Sequence, residues 1–345
     1  MDAMPRVSII ILNWNGWKDT IECLESVYQI TYPNYDVIVV DNKSENKSVE
    51  NIKEYSAGRL HVESNFFKYS KENKPLHITE YSQEDIEQGI NKEEDSSDAL
   101  SGKRLILICN RDNYGFAEGN NIAMRFALNT LKPEYILLLN NDTVVDVKSL
   151  YELIRESESR NNIGIAGPTI LYYNYDNRTD VIWSAGGTIN MWTGMRSARL
   201  VQEMDNPLED KEPLEVDYVS GAALLIKCNT IQDVGLLDKD YFMYLEDIDW
   251  CYRAKKAGYA ILQVPSSTIW HKVSMSTGGE QSPKSLFFTV RNNILFMRKH
   301  SKPYHWPTYI IFATYHFVRR FLLVSEDTKR SLLQGIKWNI KDLFH

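Results

Sequence analysis

The stretch Tyr135-Ile-Leu-Leu-Leu-Asn140-Asn141-Asp142-Thr143 constrains this chain more than any other. An apolar run entered from Lys132-Pro133 and left abruptly into two amides and a carboxylate reads as a fully buried strand. Its C-terminal end delivers polar groups to a crevice. A loop that only turns the chain would more often follow such a strand with Gly or Pro. Asp142 is the kind of hard oxygen ligand that a divalent cation on a diphosphate needs. The plainer alternative is an aspartate capping the helix expected from about Val147 to Ser159.

The same pattern occurs twice before it. Val7 to Leu12 ends in Asn13-Trp14-Asn15-Gly16, and Tyr35 to Val40 ends in Asp41-Asn42. Between them Ile21, Leu24, Val27 and Tyr28 fall at helical spacing, so this is a β-α-β unit with parallel strands. A stretch at about 61–103, rich in Glu, Lys, Ser and Asn and without a sustained period, reads as an inserted, partly ordered excursion from the surface. Leu105 to Cys109 resumes as a strand. The loop Asn113-Tyr-Gly115-Phe-Ala-Glu-Gly119-Asn120-Asn121 then enters a helix. Its glycines permit close backbone approach to a ligand and the helix start favours an anion, although a tight strand-to-helix turn uses the same residues. Past Gly167-Pro168 the pattern becomes mostly β through Trp183, Ser220 and Gly221. A helix with a stop at Gly258 opens on Glu246, Asp247 and Asp249. One more strand reaches Trp270-His271 before a loop at Gly278-Gly279, and Ser282 to His345 reads as three helices.

Composition narrows the class. A chain of 345 residues that is 43% hydrophobic and 25% charged is globular rather than disordered or fibrous. A net charge of −7 argues against a broad nucleic-acid surface. Four cysteines without C-x-x-C spacing support neither a zinc site nor a disulfide framework, which fits a reduced, cytoplasmic compartment. The N-terminus enters a strand directly, so a secretory leader is not expected. No apolar run approaches the ~20 residues of a membrane span. The nearest, Tyr304 to Val324, holds two histidines and Arg319-Arg320.

Taken in order, Asp41, the Asn113 to Asn121 loop, Asn140-Asn141-Asp142, Ser220-Gly221-Ala222, Glu246-Asp247-Ile248-Asp249 and Trp270-His271 resemble glycosyltransferase family 2. The likeness is narrower to its rhamnosyltransferase-like and galactofuranosyltransferase-like members, and spans roughly residues 5–300. It implies an α/β GT-A fold: a Rossmann-like mixed sheet flanked by helices, occupying residues 5–280, with a helical extension at 281–345. It also implies an inverting transfer from a nucleotide-diphosphate sugar, UDP- or dTDP-linked and rhamnose-like among the options, to a glycan or lipid-linked glycan.

By that resemblance Asp142 stands where the family's D-x-D motif ends. Asn140 replaces the first aspartate, so one carboxylate is left for Mg²⁺ or Mn²⁺. His271 is either a second protein ligand or a hydrogen-bonded structural histidine. Asn13, Asn15, Asp41, Asn113, Gly115, Gly119, Asn120 and Asn141 are assigned to the nucleotide sugar, although Asp41 alone also reads as a turn residue. Asp247 is the general base, with Glu246 and Asp249 as orienting neighbours, against the plain reading of a solvated, helix-capping acidic turn. Trp183, Ser220, Gly221 and Asp249 are placed toward the acceptor, and Trp183 suits core packing equally. Phe312, Tyr315, Phe317, Phe321, Leu322 and Leu323, with Arg319, Arg320, Lys329, Arg330 and Lys337, fit a peripheral membrane contact or a dock for a lipid-linked acceptor. A helical cap or a homodimer interface accounts for the same residues. A sugar-phosphate nucleotidyltransferase would need a basic, glycine-rich triphosphate loop after the first strand, which Asn13 to Gly16 is not. A non-catalytic sugar- or nucleotide-binding protein of the same fold is the remaining reading.

Overall fold

The computed structural model describes residues 4–92, 104–198, 212–273 and 282–342. Residues 93–103 of the expected insertion, the expected domain boundary near 280 and the Gly278-Gly279 loop lie outside them. Strands β1 (Val7–Asn13) and β2 (Tyr35–Asp41) pair in parallel from Val7 with Tyr35 to Asn13 with Asp41. The helix α1 (Trp17–Val27) crosses between them, as its apolar spacing requires. After α2 (Ser48–Ser56) comes the charged stretch, and here the expectation of a surface excursion is corrected. β3 (His77–Ser82) is a true strand, followed by α3 (Gln83–Glu87) and parallel to β4 (Arg104–Cys109) at the sheet edge. Thr79 and Tyr81 point inward while His77, Glu80 and Ser82 stay exposed. An edge strand with only one buried face is polar enough to merge with the loops around it. Ahead of it Lys74 is tied to buried Glu25 of α1 at 2.9 Å and to the Tyr55 hydroxyl at 2.9 Å.

Helix α4 (Gly115–Phe126) leads into β5 (Tyr135–Asn140), which pairs in parallel with β1 on the side away from β2. The strand order therefore reverses at β1, and a crevice opens beyond the carboxyl ends of β1 and β5 where such sheets bind ligands. The mostly-β part comprises β6 (Thr143–Val145), α5 (Ser149–Glu158), β7 (Ile163–Tyr172), β8 (Ile182–Ser184), the β9 (Gly187–Asn190) and β10 (Met195–Ala198) hairpin, β11 (Leu214–Glu215) and β12 (Ala223–Lys227). β12 runs antiparallel to β5 and β7 and makes the sheet mixed. After α6 (Cys228–Val234) and α7 (Glu246–Lys256), β13 (Ala260–His271) completes the order β11-β13-β7-β12-β5-β1-β2-β4-β3. Both faces are covered: Ile10, Ile38 and Leu138 enter one core, and Ile9, Val37 and Leu137 the other. This is why the strands read as unbroken apolar runs. The three expected C-terminal helices are α8 (Pro283–His300), α9 (Trp306–Leu323) and α10 (Glu326–Asp342), and α8 sinks Leu295, Phe296 and Met297 into the first core.

Candidate functional site

A cleft of about 500 Å³ occupies the crevice, within the ~300–1,000 Å³ usual for small-molecule sites. Beyond β5 the chain turns through Asn141-Asp142 into β6, which pairs antiparallel with the end of β13 so that His271 faces Thr143. That register brings His271 Nε2 to 3.1 Å from Asp142 Oδ1 on the cleft wall. Burial pushes the Asp142 carboxyl up, but the adjoining His271 ring and Lys272 outweigh it and hold the carboxyl below its ordinary value. The Lys272 N–H donates to the Asp142 carbonyl at 3.0 Å, and its ammonium reaches Asp19 (2.5 Å) and Glu22 (2.6 Å) of α1, which fixes this corner. Trp183 of β8 stands edge-on to the His271 ring with centroids 4.7 Å apart.

The entry to α7 lines the same cleft. Phe242, Tyr244 and Leu245 have φ of 60°, 67° and 71°, conformations that cost bulky residues on the order of 1–3 kcal/mol each. Neighbouring groups impose them. The Asn292 amide of α8 donates to the carbonyls of Tyr241 (2.9 Å), Met243 (2.8 Å) and Tyr244 (2.7 Å). Arg291 holds the carbonyls of Asp240 (2.5 Å) and Tyr241 (3.2 Å). The Phe242 carbonyl accepts from Phe116 N–H (2.6 Å) and Ala117 N–H (3.1 Å) at the start of α4. Gly115, at φ +73°, permits this approach, because a Cβ there would lie 2.6 Å from the Phe242 oxygen.

So held, α7 presents Asp247 to the Ser220-Gly221 bend. Asp247 Oδ2 accepts the Gly221 N–H at 2.7 Å and Oδ1 the Ile248 N–H at 2.8 Å. Burial pushes the Asp247 carboxyl up, opposed but not cancelled by these two donors and the charge of Arg196 on β10. Glu246 is buried, and its Oε2 has no hydrogen-bond partner among the described residues. Burial first and the Asp247 charge second push Glu246 well above the carboxylate range. Burial thus pushes both acids up, and at Asp247 two N–H donors and the Arg196 charge oppose it. The first turn is therefore not a solvated acidic cap.

A stability prediction follows from the sign of that shift. A carboxyl whose pKa is raised by folding binds more protons in the native state, so stability falls as pH rises from the unfolded value through the folded one. Each tenfold gain in proton affinity on folding costs about 1.4 kcal/mol above both values. Glu246→Gln is expected to raise Tm by a few degrees at pH 8 and by almost nothing near pH 4, where the wild-type side chain is neutral in both states. Thermal melts of both proteins across that range check it. An equal change at both pH values would deny the buried proton.

Among the residues expected from sequence, Asn113, Gly115, Asn141 and Asp142 line the cleft, as do Trp183, Ser220, Gly221, Glu246, Asp247 and His271. Six others do not. Asn13 donates to Asp41 Oδ1 at 2.7 Å and accepts from Thr20 at 2.8 Å, beneath Asn141, whose amide reaches the same Thr20 hydroxyl at 3.1 Å. Asp41 Oδ2 takes the Ser44 N–H at 2.9 Å, so its carboxylate is used by its own turn. Asn15 caps the Glu45 backbone at 2.8 Å. Gly119 is a packing glycine, with Leu12 2.8 Å from where a Cβ would sit, and Asn120 bonds to the Phe116 carbonyl within its own helix at 2.9 Å. Asp249, expected near the acceptor, is buried between Arg253 (2.7 Å), His300 (2.6 Å) and Tyr241 (3.2 Å).

The structure adds residues that the pattern did not reveal. Asn42 lines the cleft, donating to Asn113 Oδ1 at 2.9 Å, and its place at a strand end was the available signal. Trp14, Arg196, Lys284 and Arg320 also line it, with the Lys284 ammonium 5.0 Å from the Trp14 ring. Among the described residues no group of three or more His, Cys, Asp or Glu is arranged to hold a metal. The Asp142 and His271 pair, one hard oxygen and one imidazole on a cleft wall, fits a divalent cation only as one shared with a ligand.

The model of glycosyltransferase like family 2 matches residues 5–294. Similar curated proteins include a low-salt glycan biosynthesis hexosyltransferase of Haloferax volcanii, 28% identical over 53% of this chain and 57% of its own length. Another is an N-acetylglucosaminyl-diphospho-decaprenol L-rhamnosyltransferase of Mycobacterium tuberculosis, 36% identical over 37% of this chain and 43% of its own. The chain thus spans about half the length of these relatives. A mannosyltransferase from Pyrobaculum calidifontis in complex with GDP-Man and Mn²⁺ superposes with a TM-score of 0.54 at 13% identity, over 98% of this chain and 81% of that one. GalNAc-T7 with UDP, GalNAc and Mn²⁺ gives 0.55 at 17%, over 84% of this chain and 48% of that one. At these identities the likeness is one of fold.

Proposed function

Because the chain belongs to glycosyltransferase like family 2 and has the GT-A fold, we propose that it transfers a sugar, with inversion, from a nucleoside-diphosphate donor to a glycan or lipid-linked glycan. The observation that carries this reading is the placement of Asp247, fixed by the Gly221 N–H, on the same cleft as the Asp142 and His271 pair. The acceptor hydroxyl loses its proton to Asp247 as its oxygen bonds to the anomeric carbon and the bond from that carbon to the diphosphate breaks. The charge of Arg196 opposes the burial that raises the Asp247 carboxyl, and so favours the ionised form this task needs. Asp142 would lend a carboxylate oxygen and His271 an imidazole nitrogen to Mg²⁺ or Mn²⁺. Such an ion, when bound, offsets charge developing on the leaving diphosphate. Lys284 and Trp14 lie where a phosphate and a nucleotide base can use them. Rhamnosyltransferases among the relatives make a UDP- or dTDP-linked hexose of rhamnose type the donor to try first.

Thermal shift with a panel of nucleoside diphosphates and sugar nucleotides, with and without Mn²⁺, tests the donor half. Saturation at a hundredfold over Kd adds about 2.7 kcal/mol of stability. The expected result is stabilisation by UDP or dTDP compounds that grows with Mn²⁺, and an Asp142→Ala protein in which the growth disappears. Stabilisation by none of the panel overturns the reading. Binding without turnover across an acceptor panel would favour a non-catalytic binding protein.

A further inference from the structure

Helix α9 carries one amphipathic stripe turned to the protein and a second turned away from it. Trp306, Tyr309, Ala313, Phe317 and Arg320 recur at three- and four-residue spacing. Tyr309 is buried, Trp306 and Ala313 pack on the core, and Arg320 lines the cleft. On the opposite side Ile311, Tyr315, Val318 and Leu322 recur at the same spacing and are 67%, 60%, 48% and 74% exposed. A surface helix ordinarily turns polar residues outward, and a continuous exposed apolar stripe marks an interaction site. At the start of α9, exposed Tyr304 meets exposed Trp192 of the β9-β10 turn with ring centroids 5.6 Å apart. Such rings suit a boundary between apolar and wet phases.

Charge selects the occupant. From Pro283 to Ser325 the sequence has seven lysines and arginines and no aspartate or glutamate. Arg291 is buried, Arg298 and Lys299 pair with Asp342, Asp238 and Asp240, and Lys284 and Arg320 line the cleft, which leaves Lys302 and Arg319 for the outer side. Arg319 is exposed one turn past Tyr315, and exposed Lys302 lies ahead of α9 with its ammonium 5.9 Å from the Tyr304 ring. No helix among the described residues is long and apolar enough to cross a membrane. We propose that α9 docks this chain on an anionic bilayer surface, lying in the headgroup plane with Ile311, Tyr315, Val318 and Leu322 at the acyl boundary and Lys302 and Arg319 on lipid phosphates. A second copy fits less well. One helical stripe is small beside the ~800 Å² per partner of a stable dimer. Arg320 joins the same helix to the cleft wall, so docking brings the cleft to the membrane. This clause alone rests on the proposed function, and it makes the acceptor an amphiphile.

Co-sedimentation of the full chain with vesicles of phosphatidylcholine alone, or mixed with phosphatidylglycerol, tests the docking at low and high salt. Binding to the mixed vesicles is expected to be stronger on the order of tenfold, to weaken with salt, and to vanish in an Ile311→Glu/Leu322→Glu protein. The nucleotide-dependent thermal shift should be the same in both proteins, which separates failure of docking from failure of the donor site. Equal vesicle binding by wild type and double variant overturns the proposal, as does binding to neither vesicle. A wild-type dimer in light scattering that the double variant converts to monomer, without vesicle binding, would assign the stripe to a second copy.

Discussion

Asp247→Asn is expected to lower kcat by about 10²- to 10⁴-fold, the range a positioned general base supplies, with donor affinity little changed. The substitution keeps shape and removes only the proton acceptor. Asparagine Oδ1 can still accept the Gly221 N–H that Asp247 Oδ2 holds at 2.7 Å. Its amide then faces the Ile248 N–H, a local loss of about 1 kcal/mol. Against this, the change removes a carboxyl that burial had pushed above its ordinary value, so stability at neutral pH is not expected to fall. Initial rates, thermal melts and donor titration on one preparation separate these effects. The wild-type pH profile carries the same signature. The base must be ionised, so kcat/KM falls as pH drops through its pKa, and that limb should lie above the ~3.9 of an ordinary aspartate. Residual Asp247→Asn activity should lack the limb. A folded, donor-binding Asp247→Asn protein with full turnover would remove Asp247 from the reaction.

The sequence was most legible where burial and function coincide at a strand end. Asn140-Asn141-Asp142 stands out because β5 is apolar until the cleft begins, and the same contrast marked the ends of β1 and β2. It could not say which polar residues at those ends look outward. Asn13 and Asp41 satisfy each other one layer below Asn141, a hydrogen-bond outcome that spacing does not encode. Asp247 and Asp249 were grouped because they are near in sequence. On a helix two residues turn ~200°, so one faces Gly221 while the other is sealed against Arg253 and His300. Arg196 comes from a segment without a readable period and Lys284 from the first turn of α8, whose helical pattern says nothing of the site; only folding brings them to the cleft. The edge strand β3 was missed for a related reason: half its side chains belong to solvent.

Asn292 shows how much of the site the pattern left unseen, and its removal should have the second large effect. Its amide serves three carbonyls, that of Tyr241 buried and those of Met243 and Tyr244 part-buried, in a stretch where Phe242, Tyr244 and Leu245 sit at positive φ. Asn292→Ala leaves the Met243 and Tyr244 carbonyls without this donor, while the Tyr241 carbonyl keeps Arg291, at about 1–3 kcal/mol for each group left inside the protein. It also releases backbone conformations that bulky residues adopt only under constraint. The expected outcome is a loss of several kcal/mol of stability, measured by denaturant unfolding, with kcat reduced far below the melting temperature. Asp247 depends on the loop that Asn292 clamps, whereas Asp142 is held separately by the register of β6 with β13. Metal-dependent nucleotide binding should therefore outlast activity in the variant, and amides from Met243 to Asp247 should exchange hydrogen faster. A wild-type rate in Asn292→Ala would mean that α4, through Phe116 and Ala117, holds the loop without help. Parallel loss of nucleotide binding and rate would mean instead that the variant had failed as a whole, and that the two halves of the cleft are not independently supported.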